Sequence, residues 1–344
     1  MQNMTFLSLA PSTARGFAFA ASVAVMASLA ACGGGGGNDS TAEATPAVDL
    51  LKLTPSNHVA ALREVLTADA LLIGNANVSS LVVGVETAPA VSASDFVRDQ
   101  LPRVVEWVRQ AQASAIGASV SRTVGCTVSG SLSVTVSDGN NNGILDAGDS
   151  VAVMANNCQE GTTTTSGGFS LSVNAVAGNL QSTVYAVDLR VVFDNLRFTY
   201  PASSALLSGT VRSFSESFGA QDFKDSFTTD GLNISGDQGG VAYTRVYSGF
   251  SSSRAYRANA NGGQRNTLIV NGTLYSTALN RQSVQITTNS PLVAVPSGLE
   301  SGQLVLTGAA GGRARLSANG SYATLVELDE NGDGVYEATS THPW

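Results

Sequence analysis

Two short stretches crowd side-chain oxygens together. In "DGNNNGILDAGD", Asp138, Asn140 and Asn142 alternate, followed by Gly143, Asp146 and Asp149. In "DENGDGVYE", Asp329, Asn331 and Asp333 alternate in the same way, followed by Gly334 and Glu337. Alternation aims several hard oxygens at one point, and the glycine permits a sharp turn between them. A calcium ion asks for such a set, taking about six to eight oxygens. An ion held this way pins a turn; catalysis needs an open coordination position beside an acid or base. The same residue types also suit a plain hairpin turn, because Asx side chains cap their own backbone.

The first stretch resembles the calcium loop of EF-hand-like and dockerin-like proteins, D-x-[DN]-x-[DN]-G. The resemblance implies Asp138, Asn140, Asn142, the backbone of Ile144, Asp146 and Asp149 as ligands, with Asp149 standing where that family usually has glutamate. It implies Asp329, Asn331, Asp333 and Glu337 for the second stretch, which repeats the opening of the pattern. Strands are expected to flank the first loop, where the family has helices.

Other chemistries find little to work with. The histidines are His58 and His342, near the linker and the terminus, and each reads as a solvated surface residue rather than as part of a catalytic triad. There is no G-x-S-x-G elbow, and "GGGGG" lacks the Gly-Lys-Ser/Thr ending of a phosphate loop. The remaining acidic residues concentrate in turns. A non-enzyme is expected. With 18 basic against 26 acidic residues, the chain is too acidic to grip nucleic acid through phosphates.

Arg15 is the only charged residue before an apolar run, Gly16 to Ala31, that ends in Leu29-Ala30-Ala31-Cys32. This resembles the lipobox of Gram-negative bacterial lipoproteins. The resemblance implies cleavage of a 1–31 signal peptide and acylation of Cys32, with the lipid bilayer as partner. Glycine rather than aspartate after Cys32 points to outer-membrane delivery. Gly33 to Gly37 and the polar residues beyond form a flexible tether, and 32–56 reads as lipidated cysteine and linker. Export means an oxidising compartment, so Cys126 and Cys158 are expected as a disulfide, with a pair of buried thiols as the alternative. Zinc is disfavoured, since no Cys-x-x-Cys exists.

The elements that must position the loops follow from periodicity. Residues 57–118 read as helical. Ser56 is a candidate cap, Val59, Leu62, Val65, Leu66 and Leu71 recur at helical spacing, and a second stripe runs through Phe96, Val97, Leu101, Val104, Val105 and Val108, with Pro102 starting a new turn or kinking it. From about residue 119 the period changes to two. "CTVSGSLSVTV" puts Cys126, Val128, Leu132, Val134 and Val136 on one face. Runs such as "SVAVMANNC", "STVYAVDLRVVFDNLRFTY", "NTLIVNGTLYST" and "GVYEAT" bring the strands to roughly a dozen. A glycine leads "GSLSVTV", "GTVRSF", "GTLYST" and "GQLVLTG", which reads as recurring hairpin grammar. If Cys126 faces Cys158, Val134 lies near Ser150 and the first acidic loop sits at a hairpin tip.

The expected fold is mainly β: an extended, curved antiparallel sheet over 119–344, as a half-barrel or a sandwich, with the N-terminal helices packed on it. The full pattern, from lipobox to the closing acidic loop, resembles a set of Gram-negative envelope lipoproteins and implies anchoring without any activity. Two tasks fit. One is a structural or binding module for another envelope protein, with calcium-stiffened turns. The other is a carrier or chaperone for a lipid or other apolar ligand in the concavity, lined by Phe193, Phe198, Tyr185 and Tyr247, which read more simply as core.

Overall fold

The two-residue alternation that begins near Val120 is spent on a single sheet. A computed structural model describes residues 49–74, 92–112, 119–180, 182–219, 222–258, 264–320 and 323–342. Residues 1–31, Cys32 and the glycine tether lie outside them. Among these residues two helices come first, α1 (His58–Ile73) and α2 (Ala93–Gln112). Fourteen strands follow: β1 (Val120–Gly125), β2 (Ser129–Ser137), β3 (Ser150–Glu160), β4 (Thr163–Gly178), β5 (Tyr185–Tyr200), β6 (Ser203–Gly219), β7 (Asp222–Gln238), β8 (Val241–Ala258), β9 (Gln264–Ser276), β10 (Gln282–Val295), β11 (Gly298–Thr307), β12 (Arg313–Ala318), β13 (Thr324–Asp329) and β14 (Ala338–His342). Each pairs antiparallel with its neighbours in chain order, so the strands form one open sheet rather than the two of a sandwich.

Burial alternates along parts of the long strands. On β5, Val187, Leu189, Val191 and Phe193 are buried between more exposed neighbours. Their inward face merges with Leu62, Val65, Leu66 and Leu72 of α1 and Val97, Leu101, Val104 and Val108 of α2 in one apolar cluster. α1 touches β7, β8, β9 and β12, while α2 touches β2. Tyr247 shows how close the approach is: its hydroxyl donates to the carbonyl of Ala68 on α1 at 2.9 Å. No helix among the described residues is long and apolar enough to cross a membrane.

The leading glycines are not hairpin turns. Gly130, Gly209, Gly272 and Gly302 sit inside β2, β6, β9 and β11, at or beside irregular pairing. Each lies against the neighbouring strand where that backbone is displaced: Gly130 against Asn157, Gly209 against Gly231, Gly272 against Gly249, Gly302 against Pro291. Gly272 has φ 125°, and a Cβ there would stand 2.6 Å from the Gly249 carbonyl oxygen. A row of bulges thus crosses the sheet, and bulges bend strands and raise their twist.

Several local expectations are corrected. The strand expected to start at Cys126 starts at Ser129, because β1 ends at Gly125 and the chain turns back over Cys126–Val128, where Cys126 N–H donates to Gly130 O. Val128 is 59% exposed instead of facing inward. Val134 therefore opposes Val153, and Ser150 opposes Ser137. The cap residue of α1 is Asn57, not Ser56, and its side chain turns back to accept from Thr54 N–H. Pro102 lies inside α2 and starts no new helix. His58 is buried rather than solvated, its Nδ1 3.1 Å from Thr54 O in the first turn of α1. "GVYEAT" is mostly loop, since β14 starts only at Ala338.

Candidate functional site

Antiparallel neighbours in sequence order put alternate connections at opposite ends of the strands. The Asp138–Asp149 loop joins β2 to β3, and the loop after Asp329 joins β13 to β14. They therefore cap opposite ends and lie towards opposite edges of the sheet. The Cys126–Cys158 bridge, Cα–Cα 5.5 Å, closes the other end of the β2–β3 hairpin.

The loops share one construction. Asp138 accepts from Asn141 N–H at 2.6 Å with one carboxylate oxygen and from Gly143 N–H at 2.7 Å with the other. Asp329 accepts from Gly332 and Gly334 N–H at 2.7 and 3.0 Å in the same way. Next, Asn140 accepts from Asn142 N–H and Asn331 from Asp333 N–H. Asn142 then accepts from Ile144 N–H and Asp333 from Val335 N–H. Successive Asx turns wind both chains identically, and Gly143 and Gly334 take the positive φ this requires.

The loops part at the later positions. In the first, the Nδ2 groups of Asn140 and Asn142 donate to Asp146 at 2.8 and 2.7 Å. Asp149, almost fully buried, accepts from Gly139 and Asp146 N–H, each at 2.9 Å. Burial pushes its carboxyl above the ordinary carboxylate range, against the pull of those two donors. Every carboxylate oxygen of this loop thus accepts from an amide within the loop. In the second, Asp329, Asp333 and Glu337 bring one carboxylate oxygen each within 4.8 Å of one another. Among the described residues this is the one such group of three acidic, histidine or cysteine ligands. Asp329 is buried, Asp333 and Glu337 exposed. Glu337 also accepts from Glu330 N–H at 2.9 Å, which closes the loop. An acidic cluster that can hold a metal ion is therefore present at the second loop, and its oxygen-only donor set suits a hard cation.

The structure also holds a polar interior that the sequence pattern did not single out. Glu64 of α1 meets Arg245 of β8 and Ser276 of β9. Arg254 of β8 pairs with Asp225 of β7 at 3.0 Å and donates to the carbonyl of Gly74, just beyond α1. Asp69, on the same helix, is buried beside Ser252 and Arg254, and burial pushes its carboxyl up to about 7. Their only sequence signal was charge interrupting apolar runs, at Glu64 and Asp69 in α1 and at Arg245 and Arg254 in β8. Of the aromatics considered as pocket lining, Phe193 and Tyr247 are core. Tyr185 borders a small hollow with Phe223 and Arg254, and Phe198 lines a cavity under α2.

Comparison with known proteins finds no matching family, no similar curated protein and no similar solved structure.

Proposed function

We propose that the chain is a membrane-anchored envelope lipoprotein, tethered to the outer membrane by acyl chains on Cys32. Its β domain is a non-catalytic structural or binding module with a calcium-stiffened turn. The anchoring half rests on the leader and the Leu29-Ala30-Ala31-Cys32 motif. The half-barrel form of the fold is supported by the row of bulges, since bulges bend strands and raise their twist. One observation carries the metal half: the three carboxylates of the Asp329–Glu337 loop, gathered within 4.8 Å.

Asp329, Asp333 and Glu337 would hold the ion, with Asn331 and the Val335 backbone as the remaining oxygens of the pattern. The ion supplies charge neutralisation and a fixed turn. The ion is assigned to the second loop alone, because among the described residues only its three carboxylates gather in this way.

The test is calcium titration of the full chain, followed by melting temperature. Stability is expected to rise with calcium, by about 2.7 kcal/mol at a hundredfold excess over Kd. Asp333→Asn is expected to abolish the response. A flat response at millimolar calcium overturns the metal half. For the anchor, mass analysis of material from the native envelope should find residues 1–31 removed and Cys32 acylated; a bare Cys32 thiol overturns it.

A further inference from the structure

α2 carries two stripes side by side. Val97, Leu101, Val104 and Val108 form one and enter the core. Phe96, Gln100, Arg103 and Trp107 form the other, one residue earlier throughout, and roof a cavity of about 290 Å³. Its floor is β3 to β5, with Phe169, Leu196 and Phe198 inward and Tyr200 towards the rim. Phe96 meets Phe169 and Phe198 edge-on, both with centroids 5.2 Å apart, which fixes three rings as rigid walls. Arg103 reaches across the rim to Glu160 at 3.7 Å.

The polar groups on this wall are unspent. Gln100, Trp107 and Tyr200 line the cavity, and none of these side chains makes a hydrogen bond within the protein. An aromatic cavity with a few convergent, unused polar groups is how small-molecule sites are built. Its volume sits at the small end of the roughly 300–1,000 Å³ typical of ligand pockets. That size suits one or two fused rings and excludes a long acyl chain. The Arg103–Glu160 pair leaves the rim without net charge, so a neutral ligand fits better than an ion.

We infer that this cavity binds a small, neutral, ring-bearing molecule whose hydroxyl or carbonyl oxygen meets Gln100, Trp107 and Tyr200. The site depends on neither Cys32 nor a metal. The probe is 2-naphthol, a neutral bicyclic with one hydroxyl, titrated into the full chain by calorimetry. Saturable one-to-one binding is expected. Thr165→Trp, which fills the cavity from β4, should weaken it by about tenfold or more. Gln100→Leu removes a hydrogen-bonding group at similar size, Trp107→Phe removes the indole N–H together with one ring, and each should weaken binding by about three- to tenfold. Gln100 lies half-buried on the cavity side of α2, so Gln100→Leu remains readable if Thr165→Trp does not fold. Absence of saturable heat overturns the inference, and so does unchanged affinity in both Gln100→Leu and Trp107→Phe. Tighter binding of palmitate than of 2-naphthol also overturns it, because the cavity would then be open to chains.

Discussion

Glu64 and Arg245, 181 residues apart, form a two-pronged ion pair inside the protein: Arg245 Nε donates to Glu64 Oε1 at 2.6 Å and an Nη to Oε2 at 3.1 Å. Ser276 adds a hydroxyl donor to Oε1 at 2.6 Å, and the guanidinium lies 4.9 Å from the Tyr243 ring centroid. Arg254 repeats the device at the C-terminal end of α1, spanning Gly74 O and Asp225. Apolar burial alone would let a helix slide in a smooth trough. These directional contacts fix its height and rotation against β7 to β9.

Breaking the first pair should therefore cost more than its net worth. Glu64→Leu leaves a guanidinium buried without its partner, and is expected to lose about 3–5 kcal/mol. The double variant Glu64→Leu/Arg245→Met removes both charges and should recover most of that loss. Urea unfolding midpoints decide it: a single variant within about 1 kcal/mol of the parent would show that the pair does not hold α1.

Asp69 gives the interior a pH dependence of definite sign. Its carboxyl is raised from 3.8 to about 7, chiefly by burial, against opposing pulls from Ser252 and Arg254. The folded state then keeps its proton longer than the unfolded state, so this group's contribution is complete below about pH 4 and is lost as pH rises towards 7. A shift of this size corresponds to roughly 4 kcal/mol. Asp69→Asn should remove that decline. In thermal melts from pH 4 to 8, the parent is expected to lose stability relative to Asp69→Asn as pH rises; the opposite trend would refute the assignment.

What the sequence made legible was whatever its chemistry kept local. The Asx loops are short, self-contained and spelled out in residue order, so their positions and shared winding could be read directly. β5 could be read too, because Val187, Leu189, Val191 and Phe193 keep strict alternation. β7 could not. Asp222, Lys224, Asp225, Asp230 and Gly231 look like turn residues, yet Phe227, Leu232 and Ile234 are buried and Asp225 is matched by Arg254. The bulge row hid for a related reason: a glycine at a turn and one at a mid-strand bulge are spelled alike. The Glu64–Arg245 contact was illegible because nothing local links a helix to strands so distant in sequence.

The bulge row predicts which glycines tolerate no side chain. At Gly272 the backbone is left-handed, and a Cβ would press on Gly249 O and on Phe250 Cα, each 2.6 Å away. Gly272→Val adds a β-branched residue to that strain and is expected to cost about 2 kcal/mol or more. Gly219 has φ outside the left-handed range and nothing within 4 Å of an added Cβ. Gly219→Ala should stay within about 0.5 kcal/mol of the parent. Equal effects in denaturant melts would mean the bulges do not shape the sheet.

The two acidic loops should answer differently to calcium, although they are wound alike. In the first, Asp138 caps the N–H groups of Asn141 and Gly143, while Asp146 is held by the amides of Asn140 and Asn142. Asp138→Ala strips those caps, and Leu145, buried at the base of the loop, loses its support. The expected cost is about 1–2 kcal/mol, the scale of a lost cap, and it should be the same in calcium and in chelator. In the second, Asp329, Asp333 and Glu337 repel one another across 4.8 Å or less unless a cation joins them. Asp333→Asn relieves that repulsion, so it should stabilise the chain slightly in chelator and cancel the gain in calcium. Melting curves of both variants in each condition separate the cases. A calcium-dependent loss in Asp138→Ala would move an ion to the first loop, and a calcium response surviving Asp333→Asn would remove it from the second.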